Sequence, residues 1–372
     1  MAGSTVTYAT QTELGQDPGV QKLDPAVKAA LFSALDNNGV YDVPYPAEDG
    51  RRAWFQEGDF TGPLQAKIQI LETTNTTSVT TDAALKAIIM KDQGGAGHEL
   101  DVHDNGGKHD EIIAMGQGGD TLKLFDQGND MVYGGKGNDS IDASGSTGND
   151  SLVGGGGNDT IRGGSGYDTL VGGSGKDELH SGSTTGGHNL LYAGSGAETL
   201  YGGGGADSLY GGSGHDSLVA GAGQHQLLQA GSGNTVLVDT LAASGGTDTL
   251  IGGAGNDTIK GQQGDILQDT GGSHNEFWLY AGGNGNSTLQ GGAGNDTFHI
   301  DSNSGNDTII GGGGHDTVDF DHRAFSNVSD IQVQGSGPGH FTYTLVFDGG
   351  QHVSVSGISD IHFTDSVDLK LP

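Results

Sequence analysis

Apolar residues recur along this chain at intervals of about nine. From Ile112 the series runs Leu122, Val132, Ile141, Leu152, Ile161, Leu170 and Leu179, then Leu191, Leu200, Leu209, Leu218, Leu227, Leu237 and Leu250. It continues through Ile259, Leu267, Phe277, Leu289, Phe298 and Ile309 to Val318. The unit is G-G-x-G-x-D-x-U-x with U apolar, and complete turns stand at Gly134 to Asp139, Gly154 to Asp159, Gly163 to Asp168 and Gly172 to Asp177. Others stand at Gly202 to Asp207, Gly211 to Asp216, Gly252 to Asp257, Gly291 to Asp296 and Gly311 to Asp316. This pattern predicts short strands, each with one side chain inward and its neighbours outward, joined by turns whose glycines adopt conformations that strain other residues. If successive strands alternate between two facing sheets, each coil takes roughly eighteen residues and every second repeat lies in register.

Composition separates such a solenoid from a disordered chain. Glycine accounts for 73 of 372 residues and apolar residues for only 32%, so periodicity is the evidence for order. The net charge of −32 repels nucleic acid and anionic membranes and favours cations or basic surfaces. There is no cysteine, so any staple is non-covalent. Met1 to Gln16 carries no readable cleavable secretory signal, and no run of about 18 apolar residues offers a membrane span.

Two residues before each apolar position comes an acid: Asp in sixteen repeats and Glu198 in one, with Asn189, His225, Thr235, Asn275 and Ser287 in the others. The core position never lapses, whereas the acid does. Carboxylates stacked about one strand spacing apart, roughly 4.8 Å, repel one another unless a cation lies between them. The available donors are carboxylate and carbonyl oxygens, a hard set that selects Ca²⁺ over softer metals, while Mg²⁺ retains its waters.

The repeated nonapeptide resembles the RTX (repeats-in-toxin) family of secreted proteins over a little more than half of the chain. The resemblance implies an all-β fold, a right-handed parallel β-roll in which each ion is enclosed by acids and turn carbonyls two repeats apart. Carried over by position, it pairs Asp139 with Asp159, Asp150 with Asp168, Asp159 with Asp177, Glu198 with Asp216, and Asp296 with Asp316. Same-side acidic pairs also fall at 110/130, 120/139, 130/150, 177/198 and 248/265, so the expected cofactor is Ca²⁺ at up to ten sites. The residues assigned to metal are Asp120, Asp130, Asp139, Asp150, Asp159, Asp168, Asp177, Glu198, Asp207, Asp216, Asp248, Asp257, Asp296, Asp307 and Asp316. Empty or altered sites are expected around residues 220 to 247. A core this thin predicts a repeat region that is disordered without calcium and folded with it.

The expected domains are an N-terminal cap over 1–100, the roll over 101–320, and a C-terminal cap with a secretion signal over 321–372. In the first, LDPAVKAALFSALDNNG predicts an amphipathic helix with Asp24 as cap, Pro25 at its first position and Asn38-Gly39 as its stop, giving a small mixed α/β cap. AKIQIL and LKAIIM predict strands, and Trp54 and Phe55 are expected in the cap's core. At the far end, alternation around Asp348-Gly349-Gly350 predicts a hairpin of an antiparallel cap. The resemblance implies one-step export by an uncleaved C-terminal signal, which DSVDLKLP would end.

No catalytic motif stands out. HELDVH, from His98 to His103, spaces its histidines five apart rather than the four that H-E-x-x-H requires, and G-x-S-x-G is absent. His109, His215 and His315, beside turn acids, read as solvated side chains, with Zn²⁺ or Ni²⁺ binding as the alternative. The turn row Lys136, Thr147, Gly156, Ser165, Ser174 is too irregular for an ice-binding face. The expectation is a non-enzymatic, extracellular calcium-binding protein, secreted or surface-associated, with a structural or matrix role and a polysaccharide or another protein as its further partner. The competing expectation is a secreted effector whose activity lies in the N-terminal segment.

Overall fold

The computed structural model describes residues 5–8, 28–29, 53–57, 70–73, 78–81, 85, 87–90, 97–104, 107–182, 187–239, 247–281, 285–301, 305–335 and 341–371. The chain forms two compact units, Met1–Thr184 and Thr185–Pro372.

In the first unit, successive strands alternate between two parallel ladders. Met131–Lys136, Ser151–Gly156 and Thr169–Gly175 pair in one, with Leu152 beside Val132 and Leu170. Ser140–Asp142, Thr160–Arg162 and Glu178–His180 pair in the other, with Ile161 beside Ile141 and Leu179. Each short strand buries its central residue and turns its two neighbours outward, as Ile161 does between Thr160 and Arg162. Parallel pairing is already established before residue 101. Ile70–Thr73 pairs with Ala87–Met90, and Ser78–Thr81 with Glu99–Asp104, while Thr5–Tyr8 runs antiparallel to Ala53–Glu57. Lys28 and Ala29 are helical; the rest of the predicted helix lies outside the described residues, as does Ala66 to Gln69 of AKIQIL. Trp54 and Phe55 lie on the strand Ala53–Glu57.

The second unit repeats the architecture. One ladder includes Thr249–Ile251, Ile266–Gln268, Thr288–Ala293 and Asp307–Gly313; the other includes Thr258–Gln262, Glu276–Tyr280, Thr297–Ile300 and Thr317–Phe320. Its core includes Phe277 and Phe298, stacked with ring centroids 4.8 Å apart. Both ladders continue into the C-terminal segment: His352–Ser356 adds parallel to Asp307–Gly313, and Asp360–Phe363 to Thr317–Phe320. The expected hairpin around Asp348 pairs Thr342–Phe347 antiparallel with His352–Ser356. At this end the Phe320 ring contacts both Phe347 and Phe363, with centroids 5.3 Å apart in each pair. The Arg323 guanidinium lies over the Phe347 ring.

The chain is thus all-β over nearly all its described length, a parallel β-solenoid of the β-roll type. Two positions of the apolar series need correction. Leu227 is only partly buried, and the core residue of its strand is Leu228. The preceding turn holds one extra residue, His225, which takes a left-handed φ of 61°, so Gln226 rather than His225 occupies the acid's place. At the first repeat, Ile113 rather than Ile112 is in register with Val132, which puts Glu111 rather than Asp110 at the acidic position.

Candidate metal centre

Every acid assigned to metal in the sequence sits at the end of a turn and is buried. In the aspartates among them one carboxylate oxygen is used structurally: Oδ1 accepts a hydrogen bond from the backbone N–H of the equivalent residue one coil earlier. On one side of the first unit, Asp120 N–H donates to Asp139 at 2.7 Å, Asp139 to Asp159 at 2.8 Å, and Asp159 to Asp177 at 2.8 Å. On the other side, Glu111 donates to Asp130 at 2.8 Å, Asp130 to Asp150 at 2.9 Å, and Asp150 to Asp168 at 2.9 Å. In the second unit, the same bond links Glu198 to Asp216, Asp248 to Asp265, and Asp296 to Asp316. The stacked arrangement expected of these acids is therefore present within each unit, with Glu111 in place of Asp110.

Neutral residues maintain the backbone link without adding a carboxylate. Asn189 donates to Asp207, Gln226 to Asp248, Thr235 to Asp257, and Ser287 to Asp307.

The second oxygen divides the acids into two groups. In Asp120, Asp168, Asp207, Asp216 and Asp257, Oδ2 accepts the N–H of the glycine four residues earlier, at 2.7 to 2.9 Å. In Asp130, Asp150, Asp159, Asp177, Asp296 and Asp316, Oδ2 is buried without a hydrogen-bond partner. Leaving a buried carboxylate oxygen unmatched is costly, so a cation is the expected complement.

The first glycine of the turn leaves space beside these oxygens. A β-carbon added at Gly291 would lie 2.5 Å from Asp296 Oδ2 and 2.7 Å from the Gly311 carbonyl oxygen of the next coil. One added at Gly154 would press on Asp159 Oδ2 and the Gly172 carbonyl in the same way. Carboxylate and carbonyl oxygens thus converge on a cradle that only glycine keeps open, and this donor set fits Ca²⁺.

Burial pushes the carboxyls of Asp150, Asp159, Asp248 and Asp296 up to about 6. The facing carboxylate adds to the shift: Asp168 for Asp150, Asp177 for Asp159, Asp265 for Asp248, and Asp316 for Asp296.

A second ladder runs beside the acids. Asn138 Oδ1 accepts from Asn158 N–H at 2.8 Å, and Asn158 Oδ1 accepts from Lys176 N–H at 2.9 Å. Asn149, Asn234, Asn286 and Asn295 do the same for Tyr167, Asn256, Asn306 and His315. The Asn and Asp ladders run in opposite directions along the coil, so adjoining side chains satisfy the turn's backbone from both neighbouring coils. The repeated Asn-Asp dipeptide was the available sequence signal for this role, which period and composition had not revealed.

The fourth turn position is equally constrained. Gly157 has φ of +129°, and a β-carbon there would collide with the Gly137 carbonyl. Gly157→Ala is expected to lower stability by at least about 1 kcal/mol, read as a lower denaturant midpoint at saturating calcium. At Gly313, where a β-carbon would meet nothing within 4 Å, Gly313→Ala should be nearly neutral.

HELDVH does not form a helix: its residues from Glu99 onward lie on the strand Glu99–Asp104. Of the turn histidines, His215 and His315 are exposed, and His315 donates its N–H to Asn295.

The coil and its turns define a parallel β-solenoid with stacked acidic, glycine-opened loops. A family model for the RTX calcium-binding nonapeptide repeat matches residues 126–145, 144–179, 184–224, 235–265, 280–302 and 299–321. The chain thus carries RTX calcium-binding nonapeptide repeats; such repeats bind Ca²⁺, and their number implies several ions. Comparison with curated proteins found no match. Among the described residues, no helix is long and apolar enough to cross a membrane.

Proposed function

We propose that this is an extracellular calcium-binding protein that folds on binding Ca²⁺ after secretion and serves a structural, surface or matrix role. The assigned ligands are the acids of the stacked turns, with neighbouring same-side carboxylates and turn carbonyls sharing each ion. The unpartnered buried oxygens of residues such as Asp159 and Asp296 are the observation that carries the reading. An ion supplies the positive charge these oxygens lack; the chain's own contribution is to hold the donors in register through the backbone bonds to Oδ1.

In this proposal, residues 1–100 act as the N-terminal cap, 101–320 as the calcium-binding roll, and 321–372 as the C-terminal cap that carries the export signal. The first cap includes strands that join the roll's ladders. The role is binding and structural rather than catalytic, with a cell-surface polysaccharide or another protein as the further partner. The coupling of folding to calcium follows from composition. A core one side chain deep in each strand offers little apolar burial against the ordering of glycine-rich turns, whereas each bound ion stabilises only the folded coil.

Circular dichroism of the full chain during calcium titration from a chelator-treated state tests this. The expected result is a cooperative rise of β signal, reversed by chelator; an identical β signal with and without calcium would exclude calcium-driven folding.

A further inference from the structure

Asp126, like Asp239 and Asp269, is a buried acid outside the repeat's own acidic positions. Asp126 follows the strand Thr121–Phe125 and stands where the regular turns have their second glycine, such as Gly135, Gly155 and Gly164. It brings a third carboxylate to a pair already stacked by the coil. Glu111, Asp126 and Asp130 each offer an oxygen, all within 4.8 Å of one another, and all three residues are buried. The three come from different points of the coil: Glu111 before Ile112–Ala114, Asp126 at the opening of the next same-side turn, and Asp130 at its close.

The hydrogen bonding holds the acids in place without neutralising them. Asp130 Oδ1 accepts the Glu111 N–H at 2.8 Å, and Asp126 Oδ1 accepts the Ser146 hydroxyl at 3.1 Å. Ser146 Oγ is held in turn by Gly148 N–H at 3.2 Å. Asp126 is 3% exposed and Asp130 1%, and Oδ2 of each is buried with no partner outside the cluster, the two carboxyls lying close enough to share a proton when one is protonated. Burial pushes both carboxyls up, and the Asp126 carboxylate pushes Asp130 further. No described Lys or Arg forms an ion pair with either aspartate. Three buried carboxylates in such proximity need a multivalent cation to ionise together.

We propose that Glu111, Asp126 and Asp130 hold one Ca²⁺ at a three-carboxylate site that binds more tightly than the turn sites and fills before them. All the donors are hard oxygens, and added ligand charge is a principal means by which calcium sites are tuned to higher affinity. Asp126 thereby converts one turn of a uniform array into the point where filling starts. This rests on the calcium reading above and adds to it a ligand that the nonapeptide motif lacks.

The test is calorimetric titration of the metal-free full chain with calcium chloride at neutral pH, using Asp126→Gly, Asp126→Asn and, as a control in the other unit, the exposed Asp330→Asn. Asp126→Gly restores the residue of the regular turns, and circular dichroism at saturating calcium checks that each variant folds. The expected result is one ion bound about tenfold or more tightly than the remainder in the unaltered chain and in Asp330→Asn. Asp126→Gly should lose that tight step and keep the others, with Asp126→Asn weakened in the same step. Equal stoichiometry and affinity in the unaltered chain and Asp126→Gly would overturn the proposal while leaving the turn sites standing. No calcium binding by the unaltered chain would instead overturn the calcium reading itself.

Discussion

Truncating Phe298 to alanine is expected to cost about 3–5 kcal/mol of stability at saturating calcium, enough to melt the adjoining coils first. Phe298 is fully buried, stacks on Phe277 at 4.8 Å, and sits in ladder register between Phe277 and Val318. In a globular core, neighbouring elements can move in to fill part of a cavity. Here the strands above and below are held about 4.8 Å apart by the ladder hydrogen bonds, so a void of phenyl size has little means of closing. Because stability in a solenoid is largely a sum of local and nearest-neighbour terms, the damage should concentrate in Glu276–Tyr280, Thr297–Ile300 and Thr317–Phe320. Hydrogen exchange would show it as lost protection in those strands ahead of Thr160–Arg162 in the other unit. Tyr167→Ala, at a residue 58% exposed, is the control and should change stability by no more than about 0.5 kcal/mol.

Protons and calcium are expected to substitute for one another. Asp150, Asp159, Asp248 and Asp296 have folded-state values of about 6, raised from an ordinary carboxylate value of 3.8. Between those values the folded chain holds more protons than the unfolded chain, so without calcium the stability from these groups is fully present below about pH 4 and is lost as pH rises through about 6. Calcium binding has the opposite dependence, because the ion displaces the same protons and binds more tightly as pH rises through that window. In chelator, the β signal at pH 5 should therefore exceed that at pH 7.5. The calcium concentration at half-saturation should be higher at pH 5.5 than at pH 7.5. A chelated chain with more β signal at pH 7.5 than at pH 5 would contradict the reading of these acids as buried and mutually repelling.

Much of the fold was legible because one side chain per strand carries it. Leu152, Ile161, Leu170 and Leu179 could be phased from spacing alone, and each is fully buried in the expected alternation. Phase became ambiguous where chemistry was duplicated or a turn lengthened. Asp110-Glu111 and Ile112-Ile113 allow two registers, and pairing of Ile113 with Val132 decides between them. His225 is accommodated by a left-handed backbone that no count of spacing reveals. The acids themselves were visible, but their division of labour was not: which oxygen caps a backbone N–H and which is left for an ion depends on three-dimensional direction. Asp126 escaped notice because it stands outside the motif, at a position where the sequence suggests only an irregular turn.

The most direct measurement is the number of calcium ions retained per chain after equilibrium dialysis at pH 7.5, determined by elemental analysis for the unaltered protein and Asp159→Asn. Asp159 lies between Asp139 and Asp177 in one stack, with its Oδ2 buried and unpartnered. Several ions are expected on the unaltered chain, with a loss of one or two in the variant. A chain that retains no calcium, or one whose count is unchanged by Asp159→Asn, would contradict the claim that the stacked turn carboxylates are its ligands.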